Sequence, residues 1–370
     1  MTHQNTLVSL FEAGVMAVRG DSAVQHALST GTVTDSPDQI IAVGKAATAM
    51  AIAAHEKFPN APVLIVTKHD HADGAPARAE IIEAAHPVLD ESSLLAGARM
   101  LDVVSRMAAG SHLLMLVSGG ASALAEAPVE GLDLAGLKAR TTEMLGSGAD
   151  IHAMNKVRKT LSRVKGGKLL SNFKGAQVTS LAISDVEGDM LSVIGSGVAD
   201  APEDPPFSFT AQIVASNAIA RQAVAQKATD QGLPVRSNEE SLYDDIKTLG
   251  PRLGRALVSG PAGVHIRGGE PTVILPPQPG RGGRNQALAL LIAREIAGQS
   301  GIEVLVAGTD GTDGPTDAAG AIVDGETWDA SGQDALDRAD AGTWLDARGA
   351  LLRTGPTGTN VMDLVIALKQ

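Results

Sequence analysis

Short apolar blocks alternate along most of the chain with segments whose apolar positions recur at helical spacing. An uninterrupted apolar run is typical of a strand buried on both faces, whereas apolar residues at every third or fourth position predict a helix with one buried face. We therefore predict strands at 39–43, 63–66, 79–84, 113–117, 177–184, 213–214, 271–275 and 302–307. We predict helices at 92–107, 134–147, 154–171, 218–231 and 285–297, an amphipathic helix within 1–20, another that begins within 44–50, and a helix or a strand at 361–368.

This alternation of strands and helices predicts an α/β fold, in which helices cover both faces of parallel strands. In such folds ligands bind at the carboxyl ends of the strands. A chain of 370 residues exceeds the usual single domain, so we expect two domains. The composition changes within 234–261, and we place the boundary there, with one domain at 1–245 and the other at 246–370.

Composition and charge narrow the class of protein. The net charge of −12 argues against nonspecific nucleic-acid binding, which depends on cationic neutralisation of phosphates. The absence of cysteine excludes disulfides, a thiolate nucleophile and cysteine-ligated zinc. No apolar stretch approaches the length of a membrane span, and the acidic Glu12 lies where a signal peptide would be apolar. We therefore expect a cytoplasmic protein that binds neither nucleic acid nor membrane.

The loop 308–320 is the most informative segment for chemistry. It follows the predicted strand 302–307 and carries the carboxylates of Asp310, Asp313 and Asp317 among glycines and hydroxyl side chains. Glycine allows the backbone to approach a ligand closely, and Mg²⁺ prefers one or two carboxylates together with phosphate oxygens. The loop therefore predicts a site for Mg²⁺ and a phosphate ester. The alternative is a solvated turn that contains Asx turns and a helix cap.

Two further loops at strand ends favour anions. Lys45 follows the strand 39–43 at the start of a helix, where the helix N-terminus already attracts negative charge. Ser118, Gly119 and Gly120 follow the strand 113–117, and consecutive N–H groups in such a turn can form an anion nest. The alternatives are a surface lysine and a tight turn whose glycines serve packing alone.

Three more segments carry candidate groups. Arg158 and Lys165 lie in a predicted basic helix at 155–168 and are candidates for ligand binding. The alternative is that the basic residues form a solvated helix face. Asp185 or Asp189, after the strand 177–184, is a candidate base or metal ligand, or else a cap. Arg284 precedes the helix 285–297, where it could clamp a carboxylate or phosphate, or else lie in a flexible loop. A P-loop and a dinucleotide fingerprint are both absent from the sequence.

Together these motifs resemble the glycerate 2-kinase family with a C-terminal MOFRL domain, whose members are sometimes labelled hydroxypyruvate reductases. The similar motifs span nearly the whole chain and are VGKA at Val43, HPV-DE at His86, SGG-SAL at Ser118, NKVRKTLSRVKGGKL at Asn155, SDV-GD at Ser184, GGRNQ at Gly282, GTDGTDGPTDAAGA at Gly308 and TGPTGTN at Thr354. The chain departs from the family pattern at Leu89, at Ala121 and at Val198-Ala199.

The resemblance implies a larger, Rossmann-like N-terminal domain with a parallel sheet and a smaller α/β MOFRL domain, with the active site in an interdomain cleft. It implies ATP-dependent phosphorylation of D-glycerate at the 2-hydroxyl, which gives 2-phosphoglycerate and ADP. A hydroxy acid and a nucleotide would then be the small-molecule partners. The oligomeric state is left open, with a homodimer as one alternative. The rival interpretations are an NAD(P)H-dependent hydroxypyruvate reductase and a noncatalytic module that binds a phosphorylated metabolite.

The resemblance also implies residue roles. The family's catalytic lysine corresponds to Lys45, its aspartate to Asp185 or Asp189, and its arginine to Arg284. The expected ligands of Mg²⁺ are Asp310, Asp313 and Asp317. The expected substrate- and nucleotide-binding residues are Ser118, Gly119, Gly120, Ser122, Asn155, Arg158, Lys165 and Asn285.

Overall fold

A computed structural model describes residues 3–146 and 157–370 of the chain. These residues form two compact units. The parallel-sheet unit comprises Arg19–Ser216 and Gly358–Asn360, and the mixed-sheet unit comprises Met1–Val18, Asn217–Thr357 and Val361–Gln370. Asn155 lies outside the described residues.

The parallel-sheet unit is built on six strands, all of them parallel. Their bounds are β1 Gln39–Val43, β2 Val63–Lys68, β3 Glu80–Ala84, β4 His112–Val117, β5 Gln177–Ile183 and β6 Ser208–Ala215. The strand order β3-β2-β1-β4-β5-β6 is that of the Rossmann fold. The helices are α2 Gly20–Ser29, α3 Ala47–Lys57, α4 Glu91–Arg106, α5 Ala121–Leu124 and α6 Leu134–Gly146.

The central strands of this sheet are buried because their side chains are apolar on both faces. Every residue of β4 is buried, as a parallel strand with helices on both sides requires. The helix α4 begins at a capping box, in which Asp90 Oδ1 accepts the Ser93 N–H at 2.9 Å and Ser93 Oγ accepts the Asp90 N–H at 3.2 Å. Local sequence and burial thus agree in this unit.

The mixed-sheet unit also has six strands, in the order β11-β10-β9-β12-β8-β7. Their bounds are β7 Val235–Glu240, β8 Gly263–Gly269, β9 Ile302–Gly308, β10 Gly320–Asp324, β11 Leu351–Leu352 and β12 Asp363–Lys369. Only β7 and β8 pair in parallel, and β12 lies antiparallel between β8 and β9. The helices are α1 His3–Ala17, α7 Asn217–Asp230, α8 Ile246–Ser259, α9 Arg284–Glu295, α10 Ser331–Asp337 and α11 Ala341–Asp346.

Most predicted elements are confirmed, and the errors have physical causes. The predicted strand 271–275 is wrong: it forms only an isolated bridge, Thr272 with Asp245, in the described chain. Prolines at 271, 276 and 277 remove the N–H groups that a ladder needs. The strand β8 was not predicted because it has no continuous apolar run: His265 and Arg267 alternate with Val264 and Ile266. The predicted helix 154–171 ends at residue 161 where it is described, before the left-handed Gly166 and Gly167.

The general expectation of parallel strands holds for one unit and is wrong for most of the other. The run 361–368, left open between helix and strand, is the strand β12, and it enters the sheet between two strands that precede it in the chain. A hydrophobic pattern gives no information on strand direction, so this insertion could not be predicted.

The domain boundary predicted between residues 245 and 246 stays a prediction. In the structure this position lies within the mixed-sheet unit, between β7 and α8, and α1 belongs to the same unit. Within the described residues, no helix is both long enough and apolar enough to cross a membrane.

Candidate functional site

The loops after β1 and β4 meet at the switch point of the parallel sheet. There β1 connects to β2 on one side and β4 connects to β5 on the other, which is where open α/β sheets bind ligands. The Lys45 N–H donates to the Gly119 carbonyl at 2.9 Å, and the Ala46 N–H donates to Ser118 Oγ at 3.0 Å. A Cβ at Gly44 would lie 2.5 Å from the Ser118 carbonyl oxygen, so this approach requires glycine.

Four side chains surround Gly119 and Gly120, and we call Lys45, His86, Asp185 and Asn360 the Gly119 cluster. A Cβ at Gly119 would lie 2.2 Å from Asp185 Oδ2 and 2.6 Å from Asn360 Nδ2. A Cβ at Gly120 would lie 3.1 Å from the His86 ring and 3.2 Å from Lys45 Cγ. Residues that follow β1, β3, β4 and β5 are thus brought together with the segment 358–360.

Part of the predicted anion nest is supported and part is corrected. The Ser118 N–H donates to the Val43 carbonyl at 3.0 Å, and its buried hydroxyl is the acceptor for Ala46, so Ser118 holds the two loops together. The N–H groups of Gly119 and Gly120 have no acceptor among the described residues. Two adjacent donors beside Lys45 therefore remain for an anion.

The other predicted residues of this unit have separate surroundings. Ser122 Oγ lies 2.9 Å from Ser196 Oγ. Asp185 is the carboxylate beside Gly119, whereas Asp189 ends a short 3-10 turn with a positive φ of 52°. Arg158 is half-buried and contributes a positive charge near Lys165. The binding roles of Ser122 and Arg158 stay predictions.

Lys165 forms a buried ion pair with Glu126. Their side chains are 3% and 2% exposed, and the ammonium donates directly to Glu126 Oε2. Burial lowers the pKa of Lys165, while the Glu126 carboxylate opposes this shift. Ser162 Oγ accepts the N–H groups of Val164 and Lys165 at 3.2 Å, which fixes the turn. A ligand would therefore have to compete with Glu126 for this lysine.

In the mixed-sheet unit, Arg284 begins α9 and is clamped by two carboxylates. Its Nε donates to Asp363 Oδ2 at 2.6 Å, and a terminal nitrogen donates to Glu270 Oε1 at 2.8 Å. Asp363 is the first residue of β12 and pairs in register with Gly269 on β8 and Gly308 on β9. Burial acts to lower the pKa of Arg284, but the two carboxylates raise it overall. This guanidinium is permanently charged and oriented.

Asp313 lies under the start of the same helix. Its two carboxylate oxygens accept the N–H groups of Asn285 at 3.1 Å and Gln286 at 2.8 Å, which the first turn of a helix otherwise leaves without partners. Only 3% of the residue is exposed, and this burial raises the pKa of Asp313 to about 7. Asn285 is itself buried, and its Oδ1 has no hydrogen-bond donor among the described residues.

The three aspartates predicted as one metal site have different partners. Asp310 Oδ1 accepts the N–H and the hydroxyl of Thr312, both at 3.0 Å, and Asp317 is bound at 3.0 Å by both Arg281 and Arg353. Across residues 3–146 and 157–370, no group of three histidine, cysteine or acidic side chains is placed to hold a metal ion. As a single three-aspartate cluster, the predicted site is therefore not formed.

Two family models match the chain. One is described as a domain of unknown function, DUF4147, and matches residues 6–229. The other is described as the MOFRL family and matches residues 263–363. A protein of Thermotoga maritima named D-glycerate 2-kinase is 37% identical, over 98% of this chain and 97% of its own length. The chain belongs to the glycerate 2-kinase family.

Other members of the glycerate 2-kinase family agree with this assignment. The glycerate 2-kinase of Pyrococcus horikoshii is 36% identical over 89% of this chain and 86% of its own length. A protein of Agrobacterium vitis named putative hydroxypyruvate reductase is 35% identical over 88% and 97%. The crystal structure of glycerate kinase from Thermotoga maritima superposes with a TM-score of 0.88 at 33% identity, over 100% of both chains.

Some residues of the family motifs lie at the candidate site although the sequence alone did not predict it. Asn360 ends the TGPTGTN motif, and His86 begins HPV-DE, yet neither was predicted as a site residue. Asp363 and Glu270 were also missed. One signal was available for Asp363, because a carboxylate at the start of an apolar strand requires a buried partner.

Proposed function

We propose that this protein is a glycerate 2-kinase, which transfers the γ-phosphoryl group of ATP to the 2-hydroxyl of D-glycerate and releases 2-phosphoglycerate and ADP. The observation that carries this proposal is the Gly119 cluster, which lies at the switch point of a 3-2-1-4-5-6 sheet. The identity of 37% with a named D-glycerate 2-kinase, over 98% of the chain, supports the same reaction.

Phosphoryl transfer depends mainly on positioning and on neutralisation of charge. In the Gly119 cluster, the proposed role of Lys45 is to neutralise the transferring phosphoryl group or to bind the glycerate carboxylate. The N–H groups of Gly119 and Gly120 donate to the same anion. Asp185 orients the 2-hydroxyl and accepts its proton as the oxygen attacks phosphorus. Asp189 is the alternative base.

Arg284 is proposed as the second cationic residue. Its anchoring by Asp363 at 2.6 Å and Glu270 at 2.8 Å fixes the plane of the guanidinium, which suits recognition of a phosphate or carboxylate group. Asn285 follows directly and presents an amide oxygen that has no donor among the described residues. We assign Asn285 to substrate or nucleotide binding on that ground.

Mg²⁺ is proposed as the metal cofactor, with Asp310 as its protein ligand. Asp310 Oδ1 and Asp363 Oδ1 lie within 3.4 Å of the position that a Cβ at Gly308 would occupy, so two carboxylates line this loop. One or two carboxylates are what Mg²⁺ takes from a protein when phosphates complete its coordination. When bound, the ion neutralises charge on the phosphates of ATP. Asp313 fits this role less well because both of its oxygens accept N–H groups of α9, and Asp317 because two arginines neutralise its charge.

The reductase names of some relatives define the second candidate function. Hydroxypyruvate reduction requires a nicotinamide site, and the dinucleotide fingerprint is absent from the sequence. We therefore prefer the kinase reaction to hydroxypyruvate reduction. Cytoplasmic residence and a homodimer stay predictions from the sequence.

The deciding experiment incubates the purified protein with MgATP and D-glycerate and identifies the product by ³¹P NMR. We expect 2-phosphoglycerate and an equal amount of ADP. A parallel reaction follows NADH and NADPH absorbance with hydroxypyruvate and should show no oxidation. Coenzyme oxidation without ADP formation would replace the kinase with the reductase.

A further inference from the structure

We propose that Glu270 competes with the anionic ligand of Arg284, and that Asp363 is the permanent anchor of this guanidinium. The inference rests on the proposed role of Arg284 in the kinase and adds a residue that sets its affinity for anions. Both carboxylates bind Arg284 in the structure, but their side chains differ in burial. That difference determines which of the two contacts a ligand can replace.

Asp363 holds Arg284 from the interior of the mixed-sheet unit. Its side chain is 3% exposed, and its Oδ2 accepts the Arg284 Nε–H at 2.6 Å. Its backbone is fixed because β12 pairs with both β8 and β9, and its carbonyl accepts a hydrogen bond from Asn217 Nδ2 at 3.1 Å. Breaking a buried ion pair leaves an uncompensated charge in the interior, which is strongly unfavourable. This contact therefore persists when a ligand binds.

Glu270 holds the same guanidinium from the solvent side. It follows the last residue of β8, its side chain is 49% exposed, and its Oε1 accepts from a terminal nitrogen of Arg284 at 2.8 Å. Among the residues that the structure describes, Glu270 has no other side-chain hydrogen bond or ion pair. Water solvates both charges of an exposed pair, so such a pair contributes little. An anion can therefore replace Glu270 at small cost.

Arg284 has donors left for a ligand. A guanidinium carries five N–H groups, and in the described part of the chain only Asp363 and Glu270 accept from this one. The Arg284 side chain is 31% exposed. A phosphate or carboxylate bound there would lie close to the negative charge of Glu270, and like charges repel. Glu270 should therefore lower the affinity of Arg284 for anions.

This competition disfavours ligands that offer a negative charge and little else. A substrate that makes several further contacts still binds when Glu270 weakens one of them. A simple anion such as inorganic phosphate depends mainly on the cation and loses a larger share of its binding. Specificity is built partly from unfavourable contacts to the wrong ligand. Glu270 therefore keeps Arg284 available to the substrate in the presence of small anions.

The test compares wild type with Glu270→Gln and Glu270→Asp, with ATP and D-glycerate each varied and inorganic phosphate as a competing anion. Glu270→Gln removes the charge and keeps the shape. We expect KM for the substrate that Arg284 binds to fall about two- to fivefold, the factor that an exposed ion pair is worth. We expect kcat to change by less than about twofold. Glu270→Asp keeps the charge and should lie closer to wild type.

Inorganic phosphate measures the same competition without turnover. Isothermal titration calorimetry should give a dissociation constant that is about two- to fivefold lower in Glu270→Gln than in wild type. High salt should reduce this difference, because it screens exposed charges. Glu239→Gln is the matched control, since Glu239 is 58% exposed and lies 3.6 Å from another arginine of the same unit, Arg267. This control should bind phosphate as wild type does, and urea denaturation verifies that each variant is folded.

The outcomes separate this inference from the proposed reaction. A folded Glu270→Gln whose KM and phosphate affinity are unchanged or weaker would overturn the competition and leave the kinase intact. An equal gain in Glu239→Gln would also overturn it, because the net negative charge of the chain would then explain the result. A folded wild type that forms no 2-phosphoglycerate would overturn the proposed function, and the phosphate titration would still decide whether Glu270 competes for Arg284.

Discussion

Predicted site residues come together in one cluster in the parallel-sheet unit, whereas those of the mixed-sheet unit have separate partners. In the parallel-sheet unit, Lys45, Gly119 and Asp185 lie far apart in the sequence but meet in one cluster. In the mixed-sheet unit, Asp310, Asp313 and Asp317 share one loop, yet each has its own partners. Neighbouring strands of a parallel sheet bring their carboxyl ends to one edge. Within the loop, Asp310 accepts hydrogen bonds from its own turn, whereas Asp313 accepts them from the start of α9 and Asp317 from two arginines.

The largest expected effect tests Lys165, a predicted binding residue of the parallel-sheet unit that is buried against Glu126. Lys165→Met leaves Glu126 buried without a partner, which should destabilise the protein by about 3 to 5 kcal/mol. Lys165→Met combined with Glu126→Leu removes both charges and should recover much of that loss. Urea denaturation measures both variants, with the exposed Lys57→Met as control.

If Lys165 binds substrate, the result should differ. Lys165→Met would then keep its stability and lose affinity for ATP or glycerate, and the double variant would recover nothing. Such a result would return Lys165 to the binding residues that the sequence predicted and weaken the contrast between Lys165 and Lys45.

The sequence indicates the fold of the parallel-sheet unit well because its strands are buried, apolar and consecutive with their helices. It also locates Lys45, Gly119 and Asp185, because a loop that follows a buried strand can be recognised locally. It does not indicate that Asn360 joins them, since that depends on a segment of three residues, Gly358–Asn360, which belongs to the other unit by sequence position. Long-range pairing has no local sequence signal.

The mixed-sheet unit shows the same limit more clearly. Asp363 meets Arg284 only because β12 inserts between β8 and β9, and neither the direction nor the order of these strands can be inferred from apolar periodicity. The loop 308–320 was recognised correctly as a loop after a strand. Its carboxylates were grouped by proximity in sequence, which says little about where side chains point.

The second prediction concerns the Gly119 cluster itself. Lys45→Ala removes the charge that we propose neutralises the reacting anion and should lower kcat/KM by about 10²- to 10³-fold. Urea denaturation of the variant separates a loss of turnover from a loss of folding, because Lys45 is half-buried in the turn after β1. Steady-state kinetics with Lys57→Ala as control measures the effect, and a folded Lys45→Ala with normal turnover would refute the assignment.

The third prediction uses Asp313, whose burial raises the pKa of this carboxyl to about 7. The unfolded chain releases this proton near its ordinary pKa of 3.8, whereas the folded protein retains it, so stability is lost as pH rises. Between pH 5 and pH 7 the loss should be about 2 kcal/mol from this group alone. Asp313→Asn cannot titrate and should lack this contribution.

Urea denaturation of both proteins at pH 5 and pH 7 measures the difference. Arg284 and Asp363 also face Asp313, and they are present in both proteins, so the comparison isolates residue 313. Equal pH dependence in wild type and Asp313→Asn would mean that Asp313 is ionised in the folded state, as a bound cation would require. That outcome would revive its predicted role as a metal ligand.

The smallest expected effect separates two aspartates of the same loop. Asp317 is exposed and bound to Arg281 and Arg353, both themselves exposed, so Asp317→Ala should leave the urea midpoint of unfolding close to that of wild type. It should leave the Mg²⁺ concentration needed for half-maximal activity unchanged. Asp310→Ala should raise that concentration, because the proposed ligand is lost while the phosphates of ATP still bind the ion. Titration of MgCl₂ at fixed ATP compares the two variants directly. A shift of the same size in both variants would mean that the loop attracts Mg²⁺ through its total charge. The distinction between Asp310 as a metal ligand and Asp317 as a partner of two arginines would then be wrong.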